Sequence, residues 1–141
     1  MIEDQLYRET ILEVAQNPKN KGEISNPDLE ARLLNPLCGD EVRIQLKIHP
    51  TPPRLRGARN SRGIIEKAAF SGNGCAISQA SASLLVSYIE GKGVEEVKRV
   101  NKDDILGLLA INPTPARIGC ALLSLNVLKE ALINGTEGKS R

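Results

Sequence analysis

Val42, Ile44, Leu46 and Ile48 alternate with Arg43, Gln45 and Lys47, and no other stretch constrains the fold as much. A period of two puts one set of side chains on each face of a pleated strand, so this segment needs neighbouring strands and a core over its apolar side. His49-Pro50-Thr51-Pro52-Pro53 stops it. A returning strand is predicted over 63–70, ending at Phe70, which makes an antiparallel hairpin with a long tip. Residues 30–34 are a weaker third strand.

The period changes after Cys75. A helix is predicted over 76–90, with Ile77, Leu84, Leu85 and Tyr88 as its apolar stripe and Gly91 where a C-terminal cap belongs. Its small residues Ala80, Ser81, Ala82 and Ser83 allow close approach by a neighbour. Short helices follow near 94–99 and 102–110. The last helix opens on Thr114 as N-cap and Pro115 at the first helical position. Its core face is Ile118, Ala121, Leu122, Leu125, Leu128 and Leu132, with Cys120 on the flank shared with Arg117 and Ser124. An N-terminal helix over 3–16, with Tyr7, Ile11, Val14 and Ala15 on one face, ends at Asn17-Pro18. Strands early and helices late predict an α+β fold: a small antiparallel sheet of about three strands, with helices packed on one face.

The 141 residues suit one domain over 1–133, with a disordered tail over 134–141. Net charge is +2. Arg54, Arg56, Arg59 and Arg62 crowd an acid-free loop; taking these four from the 19 basic residues leaves 15 against 17 acidic ones. By default the 49–62 loop is simply solvated; the sharper reading is a docking surface for an acidic partner. Tyr7, Phe70 and Tyr88 are the only aromatics, too few for a base-stacking platform, which argues against nucleic-acid binding. No apolar run approaches the roughly 20 residues of a membrane helix. The acidic start Met1-Ile2-Glu3-Asp4 is unlike a signal peptide. The expected location is cytoplasmic, with reduced thiols.

Three cysteines, none in a Cys-x-x-Cys pair, do not read as a disulfide framework. Three thiolates and one carboxylate make a four-ligand set for a soft or borderline metal. Cys38 and Asp40 flank Gly39, whose freedom lets the backbone bend so that both side chains can face one point. Taken alone, a buried cysteine and a turn-supporting aspartate explain that pair equally well. Cys75 follows Gly72-Asn73-Gly74 at a helix start, where free N–H groups favour a thiolate. Cys120 has the weakest local case, since a helical cysteine among leucines is usually core; Arg117 could offset thiolate charge or form a surface ion pair. His49, the only histidine, has nothing in the sequence to bring it to a cysteine, and reads as a solvated residue.

Leu6-Tyr7-Arg8-Glu9 with Asn17-Pro18-Lys19-Asn20-x-Gly22, Asn35-Pro36-x-Cys38-Gly39-Asp40, Gly72-x-Gly74-Cys75-Ala76-Ile77-Ser78 and Pro115-Ala116-Arg117-Ile118-x-Cys120 occur in this order. Together they resemble the U-type iron–sulfur cluster assembly proteins, the SufU/IscU/NifU N-terminal family, over about residues 5–133. Ser78 to Ser83 and Pro115 to Ile118 look most like the SufU branch. Three features depart from it or from its IscU counterpart. The stretch between Cys75 and Cys120 lacks the usual SufU insertion. Position 119 is Gly where His or Lys is usual. Pro113-Thr114-Pro115-Ala116-Arg117 is a degraded chaperone motif, which argues against dependence on a dedicated Hsp70. The resemblance implies that Cys38, Asp40, Cys75 and Cys120 are the metal ligands, with Gly39, Gly74 and Arg117 in support. It further implies bound Zn²⁺ or a transient [2Fe–2S] cluster, a cysteine desulfurase of SufS, IscS or NifS type as sulfur donor, any of the three cysteines as persulfide acceptor, and apo iron–sulfur proteins as recipients. The readings that follow are a cluster scaffold, a zinc-dependent sulfur relay and, least favoured, a structural zinc module.

Overall fold

The computed structural model describes residues 9, 11–35, 39–49, 63–109 and 115–134, with only the backbone over 115–117 and at 134. Three strands, β1 (Leu29–Asn35), β2 (Asp40–His49) and β3 (Ile64–Asn73), form an antiparallel sheet in the order β1-β2-β3. Helical backbone over 11–16 (α1) precedes it. Helices α2 (Ala76–Ile89), α3 (Val94–Val97), α4 (Lys102–Leu109) and α5 (Pro115–Asn134) follow. The α+β expectation is met, and the weak strand near 30–34 is real. The 50–62 loop, Tyr7, Thr114 and the 135–141 tail lie outside the described residues.

β2 is central, and its alternation works on one face as expected: Val42, Ile44 and Leu46 are fully buried against the helices. Phe70, Ala68 and Ile65 pair with Ile44, Leu46 and Ile48 across the ladder and extend that apolar face. Each of the valine, leucine, isoleucine and phenylalanine side chains contributes about 1.5–3 kcal/mol on burial. The other face is less open than alternation implies. Gln45 is buried because the segment before β1 folds over it: the Ile24 N–H donates to Gln45 Oε1 at 2.9 Å. Gln45 Nε2 in turn donates to Glu30 at 3.0 Å, and Arg43 Nη2 to both Glu30 oxygens at 3.2 Å. The Gln45 hydrogen bond, outweighing the opposing effect of burial and aided by Arg43, holds the Glu30 carboxyl below its ordinary range.

β3 runs three residues beyond its predicted end at Phe70, because Ser71, Gly72 and Asn73 still pair with Arg43, Val42 and Glu41. Polar and glycine residues read as a turn in isolation, yet here the partner strand supplies their hydrogen bonds. The outer edge of β3 is closed by other segments. Gly22 N–H donates to Phe70 C=O at 2.8 Å, Phe70 N–H to Asn20 C=O at 3.0 Å, and Ala68 N–H to the Glu90 carboxylate at 3.0 Å. Ser83 Oγ then binds both the N–H and C=O of Lys19. The Asn17–Gly22 motif thus clamps the end of α1 to β3 and α2. The described part of α1 bears out its predicted face: Ile11 is buried, and Val14 and Ala15 are half-buried.

Two helix faces differ from expectation. In α2 the buried residues are Ser78 to Ser83, Leu85, Val86 and Ile89, whereas Ile77 and Leu84 are only half-buried and Tyr88 is exposed. The small run at 80–83 lets neighbours close in from several sides, so burial is not confined to one apolar stripe. Gly91, at φ +85°, follows the C-cap residue Glu90 as expected. In α5 the buried arc takes in Cys120, Leu123, Ser124 and Val127, and leaves Ile118 and Leu122 at its margin. Cys120 therefore lies within the buried face. The reason is that α5 packs against α2 on one side and the sheet on the other. Ser81 Oγ, on α2, reaches the Ala121 carbonyl at 2.6 Å and Ser124 Oγ at 2.7 Å.

Candidate metal centre

The extension of β3 carries the chain to the same end of the sheet where β1 turns into β2. Asn35 pairs with Asp40, and Gly39, at φ +73°, closes the turn with its N–H on the Asn35 carbonyl at 2.8 Å. A side chain at this φ would be strained, so glycine between Cys38 and Asp40 is a conformational requirement. On the neighbouring strand Asn73 pairs with Glu41, and one residue later Gly74 passes beside Asp40. A Cβ on Gly74 would overlap Ser78 Oγ and stand 3.1 Å from Asp40 Cγ. Gly74 is there because two buried side chains occupy its space.

Cys75 is the N-cap of α2, but its own side chain makes no capping bond. Asp40 supplies it from β2: Oδ1 accepts the Cys75 N–H at 3.2 Å, and Oδ2 lies 3.4 Å from the Cys75 sulfur. α2 has no acidic residue in its first turn. The buried Asp40 carboxylate provides the negative charge that a helix N-terminus favours. Ser78 Oγ donates to the Cys75 carbonyl at 3.1 Å and lies 4.0 Å from its sulfur.

Cys120 arrives from α5, one turn after the helix start. β1 meets α5 beside it, where a Cβ on Gly119 would come within 3.1 Å of Asn35 Nδ2. The result is that a ligating atom from each of Asp40, Cys75 and Cys120 lies within 4.8 Å of the others. Sulfur and oxygen ligands of one tetrahedral zinc ion stand about 3.5–4 Å apart, given bond lengths near 2.0–2.3 Å. Adjustments of about 1 Å would bring this set onto an ion, and two thiols with a carboxylate are donors that zinc and iron both accept. The residues present fit such a group. Cys38 and the Arg117 side chain lie outside the described residues.

A model of the NifU-like N-terminal domain matches residues 6–139. The chain belongs to the NifU-like N-terminal domain family. It is 33% identical to the zinc-dependent sulfurtransferase SufU of Bacillus subtilis, covering 92% of this chain and 90% of that one. It is 30% identical to the iron–sulfur cluster assembly scaffold protein IscU of Escherichia coli K12, covering 89% and 91%. Among solved structures, FiSufU of Fervidobacterium islandicum superposes with a TM-score of 0.69 at 26% identity, over 88% of this chain and 94% of that one.

Within this NifU-like domain, His49 is exposed at the far end of β2 from Asp40, 4.0 Å from Glu66, and takes no part in the site. Sequence reasoning named Asn35, Gly72 and Ser78 as motif positions without giving them a part in the site, and gave Gln79 none. The doubled glycine before Cys75 marks Gly72. A Cβ there would fall on the Glu41 carbonyl, at φ +128°. Among the described residues no helix is long and apolar enough to cross a membrane.

Proposed function

We propose that this chain is an iron–sulfur cluster assembly scaffold, taking sulfur from a cysteine desulfurase and passing a [2Fe–2S] cluster to apo-proteins. The observation that carries the reading is the convergence of Asp40, Cys75 and Cys120 from β2, the β3–α2 junction and α5 onto one point. Cys38 is the fourth ligand; two residues from Asp40, it is held by covalent geometry with its Cα within roughly 7.6 Å of that of Asp40. The cluster is cargo, and the ligand set suits cargo. A carboxylate is a harder and weaker ligand for iron than a fourth thiolate, so the cluster can leave. A cytoplasmic location, where thiols are kept reduced, suits this chemistry.

Sulfur delivery needs a nucleophile and a good leaving group. A scaffold thiolate attacks the outer sulfur of the desulfurase persulfide, a new S–S bond forms, the donor's S–S bond breaks, and the donor cysteine departs as thiolate. Asp40 binds the α2 N-terminus through Oδ1, which orients Oδ2 beside the Cys75 sulfur.

The 33% identity to SufU favours a second reading, a zinc-dependent sulfur relay. Here Cys38, Asp40, Cys75 and Cys120 hold zinc, which when bound keeps the thiols deprotonated and protected until the desulfurase engages Cys38. One experiment separates the two. The protein is purified without oxygen, its zinc and iron are measured, and desulfurase, cysteine and Fe²⁺ are added. A visible chromophore that transfers to apo-ferredoxin establishes the scaffold. Desulfurase stimulation with retained zinc and no chromophore establishes the relay. Neither response refutes both.

A further inference from the structure

Six consecutive polar or small positions in α2, Ser78 to Ser83, are buried, and their three hydroxyls are all accounted for. Ser78 bonds the Cys75 carbonyl, Ser81 bonds Ala121 and Ser124, and Ser83 bonds Lys19. Gln79 breaks the pattern. Its side chain is 7% exposed, and among the described residues neither Nε2 nor Oε1 has a hydrogen-bond partner. A buried primary amide left unpaired bears its full desolvation cost, and a leucine or methionine would fill the same volume without it.

The position of Gln79 says what the amide is for. It lies one helical turn after Cys75, on the same face, with its backbone N–H on the Cys75 carbonyl at 3.0 Å. Helical side chains lean toward the N-terminus, so its stem is directed back along α2, toward the turn that carries Cys75. The Cys75 sulfur faces the Asp40 carboxylate. Loaded with metal it is a thiolate, and an amide N–H is a suitable donor to thiolate sulfur, sharing its charge and fixing its direction.

We propose that Gln79 is a positioning residue that donates its side-chain N–H to the Cys75 sulfur when that sulfur carries metal. The proposal rests on the metal-site reading above and extends it to a residue that ligates nothing. It separates two costs: Gln79 is unfavourable in the empty protein and favourable in the loaded one.

The test uses the full chain with zinc and cobalt(II) as probes. Zinc affinity is measured by competition with a chromophoric chelator, the cobalt–thiolate charge-transfer band by absorption, and metal-free stability by melting. Gln79→Met keeps the volume and removes the donor; Gln79→Asn keeps an amide but shortens its reach, and suffices by itself where the methionine variant is poorly soluble. The expected result is zinc affinity lower by about tenfold or more in both variants, a shifted cobalt band, and metal-free Gln79→Met melting at or above wild type. Wild-type zinc affinity and an unshifted cobalt band in the variants overturn the role, whatever their melting. A wild-type chain that takes up neither ion overturns the metal reading itself.

Discussion

Gly74→Ala tests whether the candidate centre is built by steric exclusion. Gly74 has no left-handed backbone angle, so its requirement for glycine is purely spatial. The added methyl overlaps Ser78 Oγ and presses on Asp40 at 3.1 Å from Cγ and 3.2 Å from Cβ. Ser78 is fully buried and Asp40 is 4% exposed, so neither can swing into solvent. Overpacking of this kind costs about 1–3 kcal/mol, while stiffening the unfolded chain returns about 0.4–1 kcal/mol. The net expectation is a loss of roughly 1–2 kcal/mol, read from urea or thermal unfolding of the metal-free protein. Ser78→Ala alone should lose about 0.5–1.5 kcal/mol with its hydrogen bond to Cys75. The double variant removes the worst overlap, so it should be no less stable than Ser78→Ala, a coupling of about 1–2 kcal/mol. Its zinc affinity should stay below that of Ser78→Ala, because the methyl still displaces Asp40. Wild-type stability in Gly74→Ala, or strict additivity in the double variant, would refute the reasoning.

Gly72→Ala should be more damaging, since the methyl meets the Glu41 backbone carbonyl and the residue sits at φ +128°; soluble yield and circular dichroism check this, with Gly91→Ala, which meets nothing within 4 Å, as the milder comparison. Glu30, with its carboxyl lowered by Gln45 and Arg43, stabilises the fold fully above the ordinary carboxylate range of about 4.3 and loses that contribution as pH falls through its own lower value. Urea melts between neutral and acid pH should therefore show a shallower acid decline for Glu30→Gln than for wild type; parallel curves would count against it. Ser81→Ala leaves the Ala121 carbonyl and Ser124 hydroxyl without their 2.6 and 2.7 Å partner and should cost about 1–2 kcal/mol, and adding Ser124→Ala should cost less than the separate losses predict.

How much was legible follows from the range of each cause. Strand β2 and the helices after Cys75 were readable because periodicity is a local property of covalent spacing. The end of β3 was not, since Ser71-Gly72-Asn73 form a strand only by pairing with Arg43, Val42 and Glu41. The faces of α2 and α5 were misplaced for a related reason. Apolar residues mark one stripe, but Ser81, Ser83 and Ser124 are buried as partners for particular atoms on other elements. Cys120 looked peripheral on that incomplete stripe and is in fact 1% exposed.

The candidate ligand types, their order and the glycines beside them are properties of the chain alone, because they are chemistry carried by single residues and their immediate neighbours. Whether those candidates meet is decided by the tertiary structure. Asp40 reaches Cys75 because β3 is held in register beside β2, and Cys120 joins them because α5 packs against both α2 and the sheet. The same packing buries the Gln79 amide without a partner among the described residues, a cost that no local pattern of residues could have revealed.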